Sequence, residues 1–301
     1  MKGDRIFLRI LRVLAGTSLV LLIAFLVMLL VQAWPALKHS GLSFFWRENW
    51  DPANEVFGAG AFVYGTVVSS VLGLLIALPV SVASALCLTE LFSKRLAGVV
   101  SFLVEMLAAI PSVVFGLWGI FVLAPLFRST LQPFLAEHLG FIPLFSGPPL
   151  GVGMLTASVV LAIMVTPTLT ALSREVFKSI PRIQREAALA LGATRWEMIR
   201  ISVLASARSG LGAATILAWG RALGETMAVT MVIGNRPQIE ASLFAPAQTL
   251  ASVLANEYAE ASEGLHLSAL SAVGLALLLV SVVVHFLARI FIRSGTSGSA
   301  S

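Results

Sequence analysis

The chain of 301 residues has a single cysteine, Cys87, so neither a disulfide nor a cysteine-cluster metal framework can form within it. Charge is scarce: Asp, Glu, Lys and Arg make up 12% of the residues, about half of what a soluble domain carries. The four histidines, His39, His138, His266 and His285, are scattered without metal-ligand spacing, and no metal or cofactor is expected. The short alternating segments of membrane β-strands are missing. So is any G-x-x-x-x-G-K-[ST] loop, which excludes this kind of nucleotide site. A basic soluble face with aromatic readers is missing too, so no nucleic-acid partner is expected. Nor is there a clustered nucleophile or metal set at one interface, as an enzyme acting on lipid phosphates would need.

What is present is apolar. Hydrophobic residues make up 58% of the chain, gathered in blocks long enough to cross a hydrocarbon core of about 30 Å. The expected class is an all-α membrane protein with six transmembrane helices, near 12–34, 60–88, 97–124, 150–173, 209–234 and 268–290. The first apolar run is too long for a cleaved signal, so an uncleaved first helix is expected. The loops fall into two alternating sets. One, with the adjoining helix ends, holds Lys2, Arg5, Arg9, Arg12, Lys94, Arg95, seven basic residues within 174–208, Arg289 and Arg293. The other holds only Lys38, Arg47, Arg128 and Arg236. Positive charge accumulates on the cytoplasmic side, so both termini and the 174–208 segment are expected there. Trp34, Trp46 and Trp50 suit interfacial anchoring on the opposite side. The Ser/Gly-rich end, 291–301, reads as a disordered tail, and 1–58 reads as a helix and outer loop preceding a core domain, 59–290.

The segment 174–208 is a charged island between apolar runs. Pro181 suits a helix start, 182–191 has strong helix propensity, and Gly192 supplies a stop. Thr194 is placed to cap a second short helix over 193–201. The expected result is a helix–turn–helix elbow at the cytoplasmic surface. Ala187, Ala188 and Ala190 would offer a small-residue face to another protein. The plain alternative is an ordinary basic loop, although 35 residues is long for one.

Two charges lie within the fifth span. Arg221 sits about twelve residues inside it, about 18 Å along the axis and near mid-membrane. Glu225 is expected one turn further on the same face. Such an arginine costs about 2.5–3.5 kcal/mol to insert, even on a lenient scale, so it must face a cavity or a partner. Either the two residues pair to stabilise packing, or they line a polar pathway. In the second case the guanidinium fork suits an oxyanion, and Glu225 holds Arg221 in place and prevents irreversible capture. Gly220 and Gly224 would permit close approach by another helix. Glu105 is a further expected buried acid, either a structural partner or a gating residue. Pro111 is expected to free a backbone carbonyl within the third span, with Ser112 helping to satisfy it. Thr166-Pro167-Thr168 marks an expected break near the cytoplasmic end of the fourth, a hinge or a kink.

Glu186-Ala187-Ala188 followed by Gly192 resembles the EAA loop of ATP-binding-cassette importer permeases. The match departs at its end, where Ala205 replaces the usual proline and Ser202 the preceding apolar residue. Ala108–Gly119, the EAA loop and G-R-A-L-G-E-T-M-A-V-T-M-V-I-G-N (Gly220–Asn235) together resemble PstC-type permeases of phosphate-specific ABC transport systems. The likeness extends from the first helix to about residue 290. It implies a type I ABC importer (MetI-like) permease core in the bacterial inner membrane, coupled through Glu186, Ala187, Ala188 and Gly192 to a PstB-type ATPase dimer. It also implies a heterodimer with a PstA-type permease, a phosphate-binding protein outside, and inorganic phosphate as the substrate. Arg221 and Glu225 would then matter for transport, and ATP hydrolysis would belong to a partner. Sequence physics alone reaches a mid-membrane arginine compatible with an anion, and leaves a secondary anion transporter or channel as the competing class.

Overall fold

The computed structural model describes residues 2–261 and 264–297. Among them there is no strand, only two isolated bridges, Asp51–Val56 and Gly234–Ala247. Six helical segments are long and apolar enough to cross a membrane: Ile10–Phe45, Gly60–Leu91, Ser112–Leu139, Met154–Ser179, Arg195–Leu223 and Leu265–Ile290. The count of six stands, but the boundaries of the third and fifth differ from those the apolar runs suggest.

Helix α1 (Lys2–Ser40) is exposed along most of its length and packs chiefly against the last helix. A loop follows, in which Asp51 caps the turn Pro52–Asn54. Its carboxyl is held below the usual carboxylate range, first by the Asn54 side-chain amide. Helix α2 (Gly60–Leu86) ends in a widened, π-type turn, Cys87–Leu91. The third apolar run is split. Helix α3 (Lys94–Ala108) stops at the bend before Pro111, and α4 (Ser112–Trp118) starts after it. Two widened turns join α4 to α5 (Ala124–Leu126) and α6 (Gln132–Leu139) in a nearly continuous rod. Pro111 therefore ends a helix instead of merely loosening one carbonyl, because its ring and missing N–H cannot continue the ladder.

Helix α7 (Met154–Ser179) runs unbroken through Pro167. The expected break at Thr166–Thr168 does not interrupt the helix. The Thr166 hydroxyl donates back to the Ala162 carbonyl, and the Ser81 hydroxyl donates to the Thr166 carbonyl. Packing on α2, the most extensive helix contact among the described residues, supports the segment. The elbow consists of α8 (Arg182–Ala190) and α9 (Arg195–Met198). A widened turn, Ile199–Leu204, carries α9 directly into α10 (Ala205–Leu223), which packs on α2, α7 and the last helix. After a bend come α11 (Met227–Val232), α12 (Leu250–Glu257) and α13 (Leu265–Ser297). The last helix passes residue 290, where the sequence suggested a loose tail, and residues 298–301 lie outside the described part.

Trp50, in the loop before α2, donates its indole N–H to Glu257 at 2.8 Å, and the His266 ring lies 3.1 Å from the same carboxylate oxygen. Phe57 stacks on His266. This cluster fastens the loop after α1 to α12 and α13, at the end of the molecule opposite the elbow.

Candidate functional site

Two sites emerge, one at the elbow and one halfway along the helices.

At the elbow, α8 closes with paired backbone bonds, Gly192 N–H to the Leu189 carbonyl and Ala193 N–H to the Ala188 carbonyl. This Schellman closure needs a left-handed residue just past the helix, and Gly192 supplies it with φ of 86°. No atom lies within 4 Å of where its Cβ would be, so the demand for glycine is conformational, not steric. Thr194 and Glu197 form the capping box that starts α9. Glu186 and Ala187 are exposed, whereas Ala188 turns inward against Met198 and its neighbours. The outward face is therefore less small and more apolar than the alanine run suggests. It carries Ile183, Trp196 and Leu191, the last 89% exposed.

Two residues that sequence reasoning missed hold the elbow in place. Arg185 bonds Glu90 on the widened turn after α2, through Nε at 3.2 Å and Nη2 at 2.9 Å. It also donates to the Phe177 and Ile180 carbonyls at the end of α7, at 2.8 and 2.6 Å. Glu90 is only 8% exposed and Arg185 17%. One guanidinium thus ties the elbow to both α2 and α7 while satisfying α7's free carbonyls. The available signal was a lone acid, Glu90, at the end of a long apolar run, although Lys94 and Arg95 nearby in the sequence pointed to other partners. The departure at Ser202 also gains a reason. Its hydroxyl donates to the Gln184 carbonyl at 3.1 Å, and Ser206 reaches the Gln184 side chain at 3.1 Å. An apolar residue could not make this tie between α8 and the start of α10.

At mid-depth, level with the middle of α7, three consecutive residues near the end of α10 touch three different helices. Trp219 donates its indole N–H to Ser70 of α2 at 3.1 Å. Gly220 admits the His285 ring of α13, which would lie 2.6 Å from a Cβ placed there. Arg221 Nη1 donates to Thr168 of α7 at 3.1 Å. Thr168 lies near the middle of α7, so Arg221 sits at mid-depth. It is nonetheless exposed, and Thr168 is its only side-chain partner among the described residues, leaving the rest of its guanidinium donors open.

The expected partnership with Glu225 is not formed. Among the described residues no ion pair joins it to Arg221. Helix α10 ends at Leu223, and Gly224 is its cap, not a packing residue; no other helix comes within 4 Å of its Cβ position. The premise of one continuous helical face fails at that bend. Glu225 instead accepts the Thr226 N–H at 3.2 Å, just ahead of α11. Arg221 lies in the last turn of α10, so each charge sits at the helix end whose dipole favours it. Glu105 is also displaced from expectation. Its side chain is 58% exposed and pairs loosely with Arg174 at 3.5 Å, about 9 Å further along α7 than Thr168. The structure does not bring it to Arg221.

Known proteins are similar to this chain in sequence and fold. Residues 69–294 match the family described as binding-protein-dependent transport system inner membrane component. A phosphate transport system permease protein PstC of Mesorhizobium japonicum is 43% identical over 290 residues, covering 95% of this chain and 89% of its own. The chain belongs to the PstC family of binding-protein-dependent permeases. The permease is also 44% identical over 277 residues to the PstC protein of Haemophilus influenzae, covering 91% and 88% of the two chains. A probable PstC protein of Methanocaldococcus jannaschii is 37% identical over 268 residues, covering 87% and 85%. Among solved structures, an inward-facing MetNI methionine ABC transporter aligns with TM-score 0.53 and 20% identity, over 78% of the permease and 92% of that chain. A bacterial ABC transporter involved in importing the acidic polysaccharide alginate aligns with TM-score 0.57 and 17% identity, over 92% and 95%. At such identities these structures show the fold, a MetI-like ABC importer permease core. The permease is a multi-pass inner-membrane protein.

Proposed function

We infer that this permease carries inorganic phosphate into the cytoplasm as one membrane subunit of an ATP-driven importer. The observation that carries the reading is Arg221, an arginine at mid-depth, pinned by Thr168 and with its remaining donors open on an exposed face. A charge at that depth must face a cavity or a partner, and a guanidinium fork matches phosphate. The phosphate transport permeases named above match this chain along nearly nine-tenths of their length.

The elbow end is cytoplasmic in this reading, following the lysine and arginine distribution, and both termini lie on that side. The partners are a PstA-type permease that completes the pathway beside Arg221, a PstB-type ATPase dimer on the elbow, and a phosphate-binding protein at the opposite face. The chain is a conduit, with ATP hydrolysed by its partner. Residues 1–58 form an added helix and outer loop, and 59–290 the permease core. Closure of the ATPase pushes the face made by Ile183, Glu186, Ala187, Leu191 and Trp196. Arg185 passes the thrust to α2 and α7, and the continuous run from Arg195 passes it to α10, which carries Arg221. Glu225, at the bend just beyond, gives that segment a negative counterpart which favours release over permanent capture.

Glu186→Lys and Gly192→Asp test the coupling. Gly192→Asp places a side chain at a left-handed position, costing about 1–2 kcal/mol locally. Both variants are expected to insert normally, to lose the ATPase on co-purification and to lose uptake. Normal uptake by both would count decisively against the elbow as the coupling element.

A further inference from the structure

A cavity of about 600 Å³ opens at the elbow end, between the start of α3, the end of α7 and α8. Its wall carries five cations, Lys94, Arg174, Lys178, Arg182 and Arg185. Arg185 is spent on Glu90, and Lys178 reaches Glu175 at 2.8 Å. Among the described residues Arg174 has one ionic contact, at 3.5 Å with Glu105. Lys94 and Arg182 have no ion pair among the described residues. The one acid of the wall not already neutralised is Glu186. Positive charge is therefore in excess, and the N-terminus of the 15-residue α3, capped by Ser93, adds to it.

The cavity is also amphipathic. Phe92, Ala97 and Leu189 line it beside the cations. From its mouth the exposed apolar side chains Val99, Phe102 and Leu103 continue along α3. Basic pockets with an apolar floor at the cytoplasmic end of membrane helices suit phosphate-bearing headgroups.

We propose that this cavity binds a phosphate-bearing anion on the cytoplasmic side, supplied either by an anionic lipid headgroup of the inner leaflet or by free inorganic phosphate. Lys94 and Arg182 are the contacting cations, and Arg174 adds its positive charge to the same wall. The site shares no residue with Arg221 or Glu225. It borders Glu186, so an occupant rests against the coupling elbow.

The test uses the permease purified with the subunits that accompany it, in an Arg221→Gln background so that the mid-membrane arginine contributes nothing. One arm measures retained phosphatidylglycerol by native mass spectrometry, with phosphatidylcholine as the neutral control. The other titrates radiolabelled inorganic phosphate without lipid. Lys94→Gln with Arg182→Gln is expected to reduce binding of one probe about tenfold or more, the loss of at least one charge-assisted hydrogen bond. Lys94→Arg with Arg182→Lys should restore it and control for folding. Loss in the lipid arm assigns the source to the headgroup, and loss in the phosphate arm to the free ion. Unchanged binding of both probes overturns the proposal. So does loss of the ATPase subunit in the glutamine variant, which would mean these cations meet acidic groups of a protein partner.

Discussion

Arg221→Gln is expected to abolish phosphate uptake while leaving the complex assembled. Gln keeps length and polarity but removes the charge and the fork, so two parallel charge-assisted bonds to phosphate are lost. Each such bond is worth about 1.5–3 kcal/mol, so uptake at low phosphate should fall about a hundredfold or more. Folding should survive, because among the described residues Arg221 makes one side-chain bond, to Thr168. Trp219 on Ser70 and Gly220 against His285 continue to seat α10. Arg221→Lys should fall between, since a point charge remains but the bidentate geometry does not. Radiolabelled phosphate uptake, with co-elution of the partner subunits as the control, decides the matter. Wild-type uptake by the glutamine variant would make Arg221 a packing residue only.

Arg185→Ala is expected to be the most destabilising single change at the elbow. It leaves Glu90 charged and almost buried without a partner, and breaking a buried pair from one side costs about 3–5 kcal/mol. It also deprives the Phe177 and Ile180 carbonyls of a donor. The thermal midpoint of the purified complex should drop, and ATP hydrolysis should persist while uptake is lost, because thrust no longer reaches α2 and α7. Pairing Arg185→Met with Glu90→Leu should recover the part of the stability that belongs to the ion pair, but not the part that belongs to the carbonyls. Coupling should remain broken. A midpoint unchanged in Arg185→Ala would mean the guanidinium is not the anchor.

Much of this was legible in the chain because membrane insertion leaves few choices. Apolar run length alone fixes the number of spanning helices, and Pro181, Gly192 and Thr194 mark the elbow through local backbone chemistry. Two kinds of feature were not legible. One is where a helix stops inside an apolar run. Periodicity continues smoothly through Gly224 and through the residues before Pro111, yet the chain bends at both, which separates Arg221 from Glu225. The other is partnership across long sequence distance. Glu90 with Arg185, and Arg221 with Thr168, are separated by 95 and 53 positions, and no spacing rule relates them. Glu105, which seemed buried from its apolar flanks, is exposed because α3 packs against little except α7.

The permease, its partner permease, the ATPase and the binding protein, reconstituted in liposomes, offer the most direct measurement. Phosphate uptake should require ATP together with the binding protein, should not follow an imposed proton or sodium gradient, and should vanish in Gly192→Asp. Gradient-driven uptake by the permease without the ATPase would contradict the ATP-coupled pathway through the elbow and Arg221.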